Sequence, residues 1–191
     1  MTRTARETAA LWTSRVGHPF VLLPLTVGAL MARRFGGRSG LLVGAAVALA
    51  TVLPVIALVV RGVRRSAYTD YDVSDRAQRS GFYRALFVVL PIGSAVLWFL
   101  EPALRPGILA TWALILTSMA ANSFVKSSLH VGFAAYCAAL LPLTAWTAPL
   151  AAAGVVAIAW SRLVLKRHTA LEVAVGAALG VAAGVGLRVW G

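Results

Sequence analysis

The sequence predicts an all-α membrane protein, a polytopic bundle of six or seven transmembrane helices, and three observations predict it. Of 191 residues, 60% are hydrophobic and only 13% charged, about half the charge that a soluble domain of this length carries on its surface. The apolar residues fall in long runs, whereas a soluble β-protein would show alternation or short strands. Only one connection between those runs is both long and polar, residues 61–81, so no water-facing module of any size is left over. The whole chain, 1–191, reads as a single transmembrane domain.

A bilayer core about 30 Å thick takes roughly 20 apolar helical residues. The first apolar segment, 17–32, follows Arg3, Arg6 and Arg15, an arrangement superficially like a signal peptide. Glu7 interrupts it, however, and the run enters Arg33-Arg34 without a small-residue cleavage site, so it reads as a retained span. The next segments are 41–60, 82–100, 107–124, 131–146, 148–165 and 170–190. The first and fifth are short, which leaves six spans plus one partial helix as the alternative. Pro24, Pro54 and Pro91 sit inside runs, as membrane helices tolerate when neighbours satisfy the released carbonyls. Gly176, Gly180 and Gly184 make a small-xxx-small stripe for close helix packing in the last segment. Trp98, Trp146, Trp160 and Trp190 stand near segment ends, as interfacial anchors do. Cys137 is the one cysteine, so an intramolecular disulfide is excluded.

A net charge of +12 would suggest nucleic acid in a soluble protein. Here no soluble module remains to bind it, and the cations read instead as partners of anionic headgroups. With seven spans, the N-terminus, the 61–81 loop, the 125–130 connection and the 161–169 connection share one membrane side. With Arg84 at the start of the next segment counted, that side holds 13 of the 18 Lys and Arg, which places it in the cytoplasm of a cell inner membrane. Setting aside Arg79, Lys126 and Arg162 as candidate site residues leaves that orientation unchanged.

The rare polar residues fall on that side as well. His130 ends Lys126-Ser127-Ser128-Leu129-His130, and His168 lies in Ser161-Arg162-Leu-Val-Leu-Lys-Arg-His168-Thr-Ala-Leu-Glu172. Arg79 stands in the long loop. Hydrolysis of a phosphate ester needs fixed cations for the phosphoryl oxygens, a nucleophile, and a proton for the leaving oxygen. Arginine suits the first task, a neutral histidine held by a carboxylate the second, and another histidine the third. His168 and Glu172 are four residues apart and so share one face of a helix. An acid at membrane depth is a functional suspect by default, although the pair also reads as a plain helix-surface pair. Asp70, Asp72 and Asp75 read as residues that shape the loop and pair with Arg76 or Arg79. His18 reads as a packing or interfacial residue.

These segments resemble the three signature motifs of the type 2 phosphatidic acid phosphatase superfamily, whose members share a helical core with vanadium haloperoxidases. The third motif is Ser-Arg, five residues, His, three residues, Asp; here it runs from Ser161 and Arg162 through His168 to Glu172. The second, Pro-Ser-Gly-His, reads Ser127-Ser128-Leu129-His130. The first, Lys, six residues, Arg-Pro, keeps Arg79, with Asp72 in place of Lys and Ser80 in place of Pro. The resemblance implies His168 as nucleophile forming a phosphohistidine, Glu172 as its orienting group and His130 as proton donor to the leaving group. It implies Arg79, Ser128 and Arg162 as phosphate ligands; Lys126, four residues before His130, is expected to replace the missing lysine. It implies no metal and no cofactor.

The expected protein is therefore an integral-membrane lipid phosphate phosphatase whose substrate is an isoprenoid (di)phosphate or a phosphatidate-type lipid. The bilayer and that lipid are its expected partners, nucleic acid is not, and the oligomeric state is left open. Two rival readings are a non-catalytic transporter or assembly subunit that kept the fold, and a prenyl-diphosphate enzyme of another reaction type.

Overall fold

The computed structural model describes residues 3–73, 75–141 and 144–190. Among these, every regular element is a helix: α1 (Ala5–Val16), α2 (Pro19–Phe35), α3 (Gly37–Arg64), α4 (Arg76–Leu100), α5 (Pro102–Ala121), α6 (Leu129–Leu140), α7 (Thr147–Val164) and α8 (Ala170–Trp190). The chain is an all-α protein of membrane type. Its helix ends have local causes. Thr4 caps α1 in a reciprocal box, its hydroxyl accepting the Glu7 N–H at 3.2 Å while Glu7 Oε2 accepts the Thr4 N–H at 2.9 Å. Asp75 caps α4 by accepting the Ala77 N–H at 2.8 Å. Glu101 closes α4, and its carboxylate accepts the Ala103 N–H at 3.1 Å to open α5, with Pro102 in the first helical position.

Five helices, α3, α4, α5, α7 and α8, are long and apolar enough to cross a membrane; α1 and α2, bent by 46°, add a sixth if the pair counts as one span. The fifth predicted segment is shorter than the sequence suggests. At twelve residues, α6 covers about 18 Å, well short of the bilayer core. It stops because Leu141 adopts an extended backbone, φ −67° and ψ 147°, the conformation that a following proline imposes. Pro142 and Leu143 lie outside the described residues. α3, by contrast, absorbs an extra residue in a π-turn over Ala48–Val52 and continues as one helix of 28 residues.

The described residues gather into two compact units, Met1–Thr26 with Ala110–Gly191, and Val27–Leu109. The core of the second is Val47, Leu97 and Leu104, flanked by Val27, Met31 and Val43. Within it α4 approaches the π-turn so closely that a Cβ at Gly93 would overlap the Ala50 carbonyl. At the end of α4, Arg105 Nε donates to the Trp98 carbonyl at 3.0 Å with its guanidinium over the indole.

In the first unit the short α6 is the buried centre. Residues 130–137 are all buried, and Val131 and Ala134 form the core with Ile158 of α7. The glycine stripe of α8 faces α6, as the sequence predicts. A Cβ at Gly176 would come within 2.5 Å of the Ser128 carbonyl oxygen, and one at Gly180 would overlap the Gly132 carbonyl. Backbone thus packs on backbone. α1 packs on α7, where a Cβ at Gly17 would meet the Ile158 side chain at 2.5 Å. Trp146 and Trp190 are largely exposed, in keeping with interfacial positions.

Candidate active site

The site begins at the start of α8. The Glu172 N–H donates to Thr169 Oγ1 at 3.3 Å, and the Thr169 N–H donates to Glu172 Oε2 at 3.2 Å, a capping box that fixes the carboxylate. The same Oε2 lies 2.9 Å from Nδ1 of the buried His168. Where that carboxylate accepts, Nδ1 is the donor, and Nε2 is the ring nitrogen outside the pair. The predicted pairing of Glu172 with His168 is therefore present, and the capping box holds it rigid.

The chain reaches that point through a tight reversal after α7. The Arg167 N–H donates to the Arg162 carbonyl and the Lys166 N–H to the Leu163 carbonyl, both at 3.0 Å, with Lys166 left-handed at φ 53°. This is a Schellman closure built on lysine where glycine is usual. It explains the five-residue spacing between Arg162 and His168: the last turn of one helix and the cap of the next are joined by one compact turn. Ser161 Oγ turns back to the Ile158 carbonyl at 2.7 Å, so the serine of that motif serves its own helix.

Arg162 itself is buried, with 1% of its surface exposed. Its Nη1 donates to Ser14 Oγ of α1 at 2.7 Å. Lys126 Nζ donates to the Arg167 carbonyl at 2.9 Å and stands 3.7 Å from Glu172 Oε2, so the lysine touches the carboxylate that orients His168. The Ser128 N–H donates to the Glu172 backbone carbonyl at 3.0 Å, which seats the start of α6 on the start of α8. Ser128 occupies the N-cap position of α6, yet its side chain makes no capping bond. That hydroxyl is fully buried and has no hydrogen-bond partner among the described residues. A buried hydroxyl left in that condition is costly without a ligand.

His130, the second residue of α6, is buried, and its ring lies edge-to-face with His18 at 4.6 Å between centroids. His18 Nδ1 accepts the Phe20 N–H at 3.2 Å, at the start of α2. Of the expected site residues, the first unit thus links His168, Glu172 and Lys126 through a shared hydrogen bond and ion pair, with Ser128 and Arg162 joined to them through backbone groups. His130 follows two residues after Ser128. Arg79 belongs to the second unit, where it is buried in the first turn of α4 and its Nε donates to the Val73 carbonyl at 3.1 Å. In the acidic loop Asp70 accepts the Asp72 N–H at 2.8 Å and Asp75 caps α4, the loop-shaping part of the expectation for those two residues.

Two residues are invisible to the motif pattern. Ser14 is 148 positions before the arginine it contacts, a separation that no motif spacing reveals. His18 reads from sequence as a packing residue, and its ring does pack, but against a candidate catalytic imidazole. The only sequence signal for it is the rarity of histidine, three in the chain.

Chemically, the first unit offers an imidazole held against a carboxylate, a second imidazole, a buried guanidinium, an ammonium and a buried hydroxyl, a set rich in hydrogen-bond donors. Comparison of the chain with protein-family models, with curated proteins and with solved structures finds no match, so any reading of the site rests on these residues and their geometry.

Proposed function

We propose that the chain is an integral-membrane lipid phosphate phosphatase acting through a phosphohistidine. The observation that carries this reading is the His168–Glu172 pair at 2.9 Å, locked by a capping box and tied by backbone to the buried Arg162. In the reaction, the Nε2 lone pair of His168 attacks phosphorus as the bond from phosphorus to the leaving oxygen breaks. His130 protonates that oxygen, which departs as an alcohol or, from a diphosphate, as a phosphate monoester. Water, giving its proton to His130, then cleaves the phosphorus–nitrogen bond and releases inorganic phosphate. Arg162, Ser128 and Lys126 neutralise the phosphoryl oxygens. Lys126 has a second task, since its ammonium also balances the carboxylate that holds His168.

The substrate is an amphiphile with its phosphate among these polar side chains and its tail among apolar helices, an isoprenoid (di)phosphate in preference to a phosphatidate. Among the described residues the long helices are apolar, which suits a long hydrocarbon tail. Lys126, Arg162, Lys166 and Arg167 lie in or beside the connections that carry the proposed site, and Arg188 lies at the far end of α8. The positive-inside rule then favours a cytoplasmic site in the plasma membrane.

Purified protein in detergent is assayed for phosphate release from prenyl monophosphates, prenyl diphosphates and phosphatidate, beside His168→Ala. Release abolished by the substitution supports the hydrolase. Diphosphate release with a hydrocarbon product would point to another prenyl-diphosphate reaction. No turnover of any member would leave a transporter or assembly subunit.

A further inference from the structure

We infer that the N-terminal segment through α1 to the start of α2 is part of the active site, with Ser14 the positioning residue of Arg162 and His18 that of His130. The inference rests on the phosphatase reading and adds to it two residues outside all three motifs. Ser14 is buried on the face of α1 that packs against α7, and its Oγ accepts from Arg162 Nη1 at 2.7 Å. A guanidinium at the end of a long side chain has many rotamers, and one hydrogen bond at its tip selects among them. The backbone next to Ser14 is itself held, because Gly17 lies against Ile158 too closely for a side chain. The contact is therefore a fixed strut.

Four residues on, the same segment supplies the second contact. His18 Nδ1 is engaged by the Phe20 N–H at 3.2 Å, which sets the plane of its ring, and the ring stands at 83° to that of His130. Edge-to-face packing of this kind restricts rotation of the partner ring. For a general acid, ring orientation decides whether the proton is aimed at the leaving oxygen. Both positioned groups thus take their geometry from one short stretch whose own composition, with Arg3, Arg6, Glu7 and Arg15, reads as surface helix.

The test uses the full chain in detergent, with orthovanadate as a phosphoryl mimic and two substrates differing in leaving group: a prenyl phosphate, and p-nitrophenyl phosphate, whose phenolate leaves without a proton. Ser14→Ala is expected to raise KM and the vanadate inhibition constant about five- to tenfold with little change in kcat, the loss of one hydrogen bond to a charged group. Ser14→Thr, which keeps the hydroxyl, should stay within about twofold of the parent, so a general folding defect is distinguishable. His18→Ala is expected to slow the prenyl phosphate about tenfold and leave p-nitrophenyl phosphate nearly unchanged. If the parent protein is active and Ser14→Ala and His18→Ala shift neither vanadate affinity nor leaving-group dependence, the positioning roles are wrong while the phosphatase stands. A parent that neither binds vanadate nor releases phosphate overturns the phosphatase reading, and this inference with it.

Discussion

The two units of the chain bury very different things. In Val27–Leu109 the interior is apolar, Phe82 and Tyr83 included, and Arg79 is the one charged side chain among the buried residues described there. In the other unit Ser14, Ser128, His130, Ser161, Arg162 and His168 are all buried. Yet the second unit holds the long α3 and α4, and the first holds α6, the shortest apolar helix. Burying polar side chains in a membrane protein costs several kcal/mol unless they are paired or used. Concentrating that cost around a helix too short to span is what the proposed chemistry in the first unit would account for.

The sharpest way to break this contrast is to remove the orienting carboxylate. Glu172→Gln should lower kcat for phosphate release on the order of 10³- to 10⁴-fold, by analogy with carboxylates that hold a catalytic imidazole in its working tautomer. The same substitution should leave the melting temperature of the detergent-solubilised protein nearly intact. Normal turnover would remove the dyad from the mechanism.

Comparing the two buried arginines sharpens the contrast further. Arg162→Ala should cost about 10²- to 10³-fold in kcat/KM, the loss of one donor to developing phosphoryl charge. If Arg79 is the one contribution of the second unit to phosphate, Arg79→Ala should fall in the same range. An Arg79→Ala variant with unchanged kinetics and a lower melting temperature would confine the chemistry to the first unit, with Arg79 only bracing the Val73 carbonyl.

Packing provides a smaller effect. Gly180→Ala places a methyl group into the Gly132 carbonyl, whereas Gly186 on the same helix has no heavy atom within 4 Å of the added carbon. The first should destabilise by about 1–3 kcal/mol. The second should be neutral, or stabilising by about 1 kcal/mol through helix propensity. Chemical denaturation in mixed micelles reads both, and equal effects would remove the close α6–α8 contact.

The smallest expected effect concerns the turn between Arg162 and His168. Lys166→Gly relieves a left-handed lysine and should stabilise by about 1 kcal/mol. Activity should be retained, because only the lysine backbone shapes the turn. A destabilised variant would mean that the side chain contributes more than its strained backbone costs.

Local features of this protein are legible along the chain. Apolar runs locate the helices, because in a bilayer hydropathy and span length are nearly the same quantity. The His168–Glu172 pair is legible too, since the two residues stand one helical turn apart. The end of α6 is less so: the hydropathy of residues 131–146 continues past Leu141, and Pro142 is the one mark along the chain of where the helix stops. The Schellman turn is hidden because lysine, not glycine, occupies its left-handed position.

By itself the sequence determined the helical class, the membrane character and the spacing that brings an imidazole beside a carboxylate. All three are set by composition or by contacts within a few residues. Only the tertiary structure decided that Ser14 meets Arg162, that His18 meets His130, and that Lys126 leans on Glu172. Those contacts join residues up to 148 positions apart. Their existence depends on which helix faces pack together, which no local pattern along the chain encodes.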